Sequence, residues 1–396
     1  MAAPPPPPQR TTSPVSSEII AQNDDILSEI LLHLPVKSLL QFKSVSKQWN
    51  SIISDRGFSL LRCRRHCYSP SSGLFFLHHH PFISPIYDFI SFTSSSHPPF
   101  FSLLKSSSFD INQSCNGLFL CSSDSDVVVC NPTTNAIASI EALGKIHPRC
   151  VGINLCFDPL RSPFYEIVHV YTSNFDESLY SLDVYDSKTK KWRNKVVDQF
   201  RVPFDVEFLN GVYWERGIYW LSHTESTIFF DLEAESIETL ILPKALEGAY
   251  IERFRYFGES CGHLHLLEIR TNCVQEFDVL ELNKIDKIQW LVKYRVNLDV
   301  LGRGFESEMF LDHTDRFGRK FRFYAFSIFA IVHDNVKNDE DEKNSEMVLS
   351  IPGKVIAYNF KTKISRLICN VVDESDKLFP FRGHNAVQFI ESLYSP

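Results

Sequence analysis

The sequence predicts a multidomain α plus β chain. A small N-terminal helical unit comes first, and an all-β propeller of six blades, with length enough for a seventh, follows it. Three observations predict this. Apolar residues recur at helical spacing between Asp24 and Ile53. From about Tyr68 the runs become short, aromatic and β-branched, separated by turn residues. A strand–turn–strand signature then returns five times, at intervals of 55, 45, 52 and 76 residues between its anchors at 131, 186, 231, 283 and 359.

Residues 1–20 are rich in Pro, Ser and Thr and read as a disordered lead-in. The helical unit follows. Asp24 or Asp25 can cap a first helix, where a carboxylate accepts the unpaired N–H groups of the first turn. Ile26, Leu27, Ile30 and Leu31 then repeat at helical spacing. Leu34-Pro35 ends that helix, and Pro35 suits the first turn of the next, where its missing N–H costs nothing. Ser38 to Phe42 carries the second helix. Val45, Trp49, Ile52 and Ile53 mark a third, and Phe58 to Cys67 extends the unit as a fourth helix or a connector. Three short helices cover too little of their own surface to bury so many apolar side chains. The surplus predicts either a partner surface or packing on the rest of the chain.

The order Leu34-Pro35, Leu39-Leu40, Val45-Ser46-Lys47, Trp49 and then Ile52 or Ile53 resembles an F-box, here spanning residues 21–60. The resemblance implies a docking site for the Skp-type adaptor of a cullin-based ubiquitin ligase. The residues it assigns to that contact are Leu34, Pro35, Leu39, Leu40, Val45, Ser46, Trp49 and Ile52.

Residues 68–396 read as the β domain. In each repeat a β-type run ends on Asn or Asp, passes through a polar turn and restarts on an apolar residue. The anchors are Asn131, Asp186, Asp231, Asn283 and Asn359, and the restarts are Ile137, Trp192, Ile237, Trp290 and Ile364. An Asn or Asp at a strand end bonds to the turn's own backbone, so this is hairpin chemistry. A period of about 50 is that of four-stranded propeller blades. The long last interval contains an acidic, strand-poor insert, Asp334 to Met347. Asn116-Gly117, Asn210-Gly211 and Cys261-Gly262 each precede a short apolar strand, where glycine permits positive φ or close backbone approach.

This region resembles the F-box-associated domain of a large plant family with a kelch-like interaction region. The carrying residues are Ser114 to Leu118, Asn131-Pro132, Phe157-Asp158-Pro159, Asn210 to Trp214 and Ile218 to Leu221. The double glycine of true kelch blades is absent, so the blade count rests on the period alone.

Hydrophobic residues make up 44% of the chain, with 33 Phe, 14 Tyr and 5 Trp, which a folded chain needs and a disordered one lacks. The net charge of −8 argues against a nucleic-acid partner, which needs cations against phosphates. The short basic group Arg62, Arg64, Arg65 reads as a solvated helix end. MAAPPPPPQR is followed by no apolar core, which predicts no secretory signal. The longest apolar run, Phe323 to Val332, is about half the length a bilayer requires. No membrane association is expected, and the chain is placed inside the cell, in cytoplasm or nucleus. The ten scattered cysteines, with no CxxC, read as reduced thiols.

Two constellations could hold a metal. His263 and His265 share a strand face, with Glu268 beyond, in an order loosely like a cupin's. Cys63, His66 and Cys67 lie at helical spacing with His78, His79 and His80 further on, which is one compact half of a zinc site. No nucleophile elbow, P-loop or dinucleotide glycine pattern is present. The two family resemblances imply a non-enzymatic, cofactor-free receptor subunit of a Skp–cullin–F-box (SCF) ubiquitin ligase, whose propeller would hold an unknown target protein. The alternatives are a metal-dependent β-fold enzyme using His263, His265 and Glu268, and an F-box scaffold that does not promote degradation.

Overall fold

The computed structural model describes residues 23–65, 72–78, 86–92, 109–123, 126–140, 150–172, 176–203, 205–222, 226–242, 253–270, 276–284, 288–314, 320–333, 345–371 and 386–396. The Pro-rich lead-in lies outside them. Two compact units divide the chain between Arg62 and Cys63.

The helical unit contains α1 (Asp24–Leu32), α2 (Val36–Phe42), α3 (Lys47–Ser54) and α4 (Arg56–Arg65), the last running past the division. The cap of α1 is Asn23, not Asp24 or Asp25. Its Oδ1 accepts from the N–H groups of Asp25 and Ile26 at 3.0 and 3.2 Å. The two aspartates sit inside the first turn, where their charge still complements the helix dipole. Pro35 stands one residue ahead of α2, which begins before Ser38, and its carbonyl accepts from Leu39 N–H at 3.1 Å. Ser46 caps α3, with Oγ accepting from Trp49 N–H at 3.1 Å. Arg62 donates to the carbonyls of Leu32 and Leu34 at 3.2 and 2.7 Å, satisfying acceptors that the end of α1 leaves open. Leu27, Leu31, Leu32, Val36, Leu39 and Ile53 are buried.

The second unit is a six-bladed propeller. β1 (Gly73–His78) and β2 (Ile86–Ser91) form one sheet with β25 (Ala386–Phe389) from the far end of the chain, in the order β2-β1-β25. Five four-stranded antiparallel sheets lie between these in sequence. Sheet one is β3 (Asp110–Cys115), β4 (Leu118–Ser122), β5 (Val127–Asn131) and β6 (Ala136–Ser139). Sheet two is β7 (Cys150–Cys156), β8 (Glu166–Thr172), β9 (Tyr180–Asp186) and β10 (Lys191–Phe200). Sheet three is β11 (Val212–Trp214), β12 (Gly217–Leu221), β13 (Ser226–Asp231) and β14 (Ser236–Ile241). Sheet four is β15 (Arg253–Ser260), β16 (His263–Arg270), β17 (Glu276–Asn283) and β18 (Gln289–Asn297). Sheet five is β21 (Ser327–Val332), β22 (Glu346–Ile351), β23 (Lys354–Asn359) and β24 (Ser365–Asn370). A one-turn helix, α5 (Leu298–Leu301), and a hairpin, β19 (Phe310–Thr314) with β20 (Lys320–Tyr324), fill the link between sheets four and five.

The strands β25, β3, β7, β11, β15 and β21 neighbour one another in that order, and β21 returns to β25. This inner ring fixes six blades among the described residues and leaves no place for a seventh. Full closure removes exposed inner edges.

The repeat anchors lie at the ends of β5, β9, β13, β17 and β23, each opening the outermost hairpin of its sheet. Asn131 Oδ1 accepts from Thr133 and Thr134 N–H at 2.8 and 3.3 Å, and Asp231 Oδ1 from Glu233 and Ala234 N–H, both at 2.8 Å. Asp186 and Asn359 do the same for their turns. Four residues after these anchors, Asn135, Lys190, Glu235 and Lys363 all have φ between 51° and 58°, which turns the chain back into the sheet. Asn116-Gly117 and Cys261-Gly262 form two-residue turns with positive φ at both positions. Gly211 differs. Its φ is −70°, and glycine is needed because a Cβ would collide with Asn154 Oδ1 and the Trp220 indole.

Aromatic residues pack between blades. Trp220 and Tyr219 are completely enclosed, Trp214 is buried and Tyr213 is half-buried. Lys284 reaches across from sheet four to sheet three, with Nζ 4.6 Å from the Trp214 ring, 5.1 Å from Phe229 and 3.1 Å from Glu215. The chain end is clasped to sheet one. Asn131 Nδ2 donates to Ser392 O at 3.1 Å, Ser392 Oγ at 3.0 Å and Tyr394 O at 2.6 Å. The acidic insert is shorter than expected, because Glu346 and Met347 already belong to β22, and residues 334–344 lie outside the description.

Candidate docking face

The helical unit closes its own core and still displays apolar side chains. Leu27 and Leu31 turn inward on α1, while Ile26 and Ile30, one position earlier, are 41% and 45% exposed. The apolar stripe on α1 is wider than one core contact requires, and the excess faces outward. Val45, just ahead of α3, is 58% exposed. Pro35 and Ser46 are exposed, and Leu34, Leu40, Trp49 and Ile52 are half-buried. Leu39 departs from the expectation of an accessible anchor, since none of its surface is exposed. It supports the face from inside.

Trp49 is held by Phe42, whose ring meets it edge-on at 5.2 Å and 79°. Ser46 fixes the start of α3 and thereby the position of Trp49. Gln48 Nε2 donates to Asp24 Oδ1 at 2.7 Å, tying α3 to α1. The Lys43 ammonium, at the end of α2, is held below the usual lysine range by burial. Ile26, Ile30, Phe42 and Arg62 were absent from the predicted face. The i, i+4 doubling of Ile26/Ile30 beside Leu27/Leu31 is the sequence signal for the first two.

The histidines predicted as a metal pair have other partners. His263 Nδ1 lies 3.0 Å from Glu281 Oε1, and His265 Nε2 lies 2.9 Å from His333 Nε2. The Glu281 carboxyl is desolvated, yet its hydrogen bond to His263 and the nearby Lys293 hold it down to about 2. Glu268 belongs to β16, and its side chain lies outside the description. So do His66, Cys67, His79 and His80, whereas Cys63 is half-buried against a cluster containing Tyr394. Among the described residues no group of three or more His, Cys, Asp or Glu is placed to hold a metal ion. No helix among them is long and apolar enough to cross a membrane.

A short helical unit with a displayed apolar face, followed by a closed six-bladed propeller, defines a two-part binding protein. Comparison with known families sharpens this. Residues 23–61 match the F-box domain, and residues 82–300 match the F-box associated beta propeller domain. F-box protein At5g07610 of Arabidopsis thaliana is 30% identical over 96% of this chain and 93% of its own length. Putative F-box only protein 9 of the same plant is 26% identical over 70% of this chain and 76% of its own length. Its F-box/WD-40 repeat-containing protein 1 is 23% identical over 83% and 85%. The chain belongs to the F-box proteins that carry an F-box-associated β-propeller. An F-box implies binding of a Skp-type adaptor, and proteins of this family are typically non-catalytic adaptors.

Proposed function

We propose that this protein is the substrate-recognition subunit of an SCF-type ubiquitin ligase. The helical unit docks a Skp-type adaptor, and through it a cullin scaffold, by way of Leu34, Pro35, Leu40, Val45, Ser46, Trp49 and Ile52, with Leu39 behind them. The propeller holds the target protein. The observation that carries this reading is that the unit exposes Ile26, Ile30 and Val45 although its own core is already closed by Leu27, Leu31, Leu39 and Ile53. Exposed apolar surface on a closed unit calls for a partner.

The chain contributes no chemistry to ubiquitin transfer in this reading. It raises the local concentration of target lysines near ubiquitin activated elsewhere in the assembly. Such a protein works inside the cell, in cytoplasm or nucleus. Co-expression with a plant Skp-type adaptor and affinity capture tests the proposal. The wild-type chain should retain the adaptor through washing, and Leu34→Ala with Pro35→Ala should lose it. Absence of adaptor from the wild-type eluate would end this reading.

A further inference from the structure

Sheets four and five meet through histidines that adaptor docking does not use. His265 on β16 is completely buried, and its Nε2 lies 2.9 Å from Nε2 of His333, which directly follows β21. His333 Nδ1 lies 2.8 Å from Ser345 Oγ. Ser345 directly precedes β22 and also accepts from Phe360 N–H at 3.0 Å. His333 and Ser345 therefore join the two ends of the 334–344 segment, whose sequence holds five carboxylates and two lysines.

The proton positions follow from the partners. Two imidazole nitrogens at hydrogen-bond distance share one proton. His265 Nδ1 is buried without a partner, so a proton there would be an unpaired buried donor. His265 therefore donates from Nε2 to His333 Nε2. His333 keeps its own proton on Nδ1 and donates it to Ser345 Oγ. The result is one directed chain, from sheet four through His333 to the start of β22.

Among the described residues, charged and titratable groups lie on the elements around the pair. The His263 ring, also on β16, lies 5.5 Å from that of His333 and 6.2 Å from that of His265. Glu281 on β17 binds His263, and Lys293 on β18 lies 3.6 Å from the same carboxylate. Glu259, near the end of β15, accepts from Gly262 N–H at 2.6 Å, and desolvation raises its carboxyl to about 7. Cys261 Sγ donates to His333 O at 3.6 Å. Glu346 on β22 is paired with Arg366 on β24. Burial and then the neighbouring His333 hold the His265 imidazole down to about 3.

We propose that His265, His333 and Ser345 form an acid-sensitive latch, which ties sheet four to the base of the acidic 334–344 segment while both rings are neutral and opens when the pair takes up a proton. Within the hydrogen bonds His265–His333–Ser345 a second proton has no acceptor among the described residues. A protonated His333 would turn Nε2–H toward Nε2–H of His265. Relieving that contact would move the His265 proton to Nδ1, where no acceptor stands. The sign follows from linkage. The folded His265 value lies below the unfolded one, about 6.5, so the stabilisation is complete above that pH and is lost as pH falls toward 3.

Full-length protein carrying 15N-labelled histidine tests the wiring, because ring-nitrogen shifts report the tautomer. At pH 7.5 His265 should carry its proton on Nε2 and His333 on Nδ1; a proton on His265 Nδ1 overturns the latch. Hydrogen exchange at the Phe360 amide, corrected for the intrinsic rate, tests the opening. Protection should fall about 25-fold between pH 7 and pH 5 in the wild type, as expected when the open state binds one proton at about 6.5 and the closed state only at about 3. It should stay level in His265→Gln, whose amide does not titrate and can present either its Nε2 or its Oε1 to His333. Equal loss in both proteins, or no loss in the wild type, overturns the latch. The tautomer measurement decides the matter alone if His265→Gln does not fold, and neither readout involves the adaptor.

Discussion

Asn131 does two things with one side chain. Its Oδ1 organises the turn after β5, while its Nδ2 holds the backbone of Ser392 and Tyr394. Asn131→Ala should leave buried carbonyls unpaired and cost about 2–3 kcal/mol, read from a urea midpoint. Asn131→Asp separates the two roles. The turn acceptor survives, but a carboxylate then faces carbonyl oxygens, so this variant should be no more stable than Asn131→Ala. If the aspartate variant were as stable as wild type, the clasp would carry no weight. The turn role of Asn131 was legible in the sequence because it is local, two and three residues away. The clasp was not, because Ser392 is 261 positions distant and nothing in its neighbourhood marks it as a partner. The same holds for His265, whose strand face was readable but whose partner, 68 residues on, was not.

Among the elements, the helices show how far periodicity reaches. It placed α1, α2 and α3 within a few residues, because caps and breakers such as Ser46 and Pro35 are local signals. It did not separate Leu39, fully enclosed, from Leu40, half-buried, since adjacent positions on a short helix differ only in what packs against them. That difference makes a prediction. Leu39→Ala should destabilise the helical unit by about 2–5 kcal/mol, seen as loss of helical signal on mild heating. Leu34→Ala with Pro35→Ala should keep the helical signal and lose the adaptor. If Leu39→Ala melted no earlier than wild type, the burial assigned to that side chain would be wrong. The strands were legible for a different reason. Each anchor sits where a third strand ends, so a repeating turn revealed a repeating sheet. Sheet order and the role of β25 depended on pairing between chain ends, which no local pattern encodes.

At the scale of the molecule, stability rests on ring closure. β25 pairs with β1 along Gly73↔Phe389 through Phe76↔Ala386 and packs beside β3 and β21. Phe389 packs edge-on against Phe75 and Phe89 of the same sheet, and against Phe119 of sheet one. Removing residues 386–396 takes away an inner strand and the clasp to Asn131 together. The truncated chain should lose the cooperative unfolding transition of the propeller in calorimetry while the helical unit still captures the adaptor. A sharp propeller transition in the truncated protein would show that closure through β25 is dispensable. The position of β25 also has a consequence for synthesis. The helical unit leaves the ribosome before the propeller, whose ring cannot shut until the codons for β25 have been read. Any message broken before those codons would yield a chain able to occupy the adaptor but unable to offer it a finished propeller.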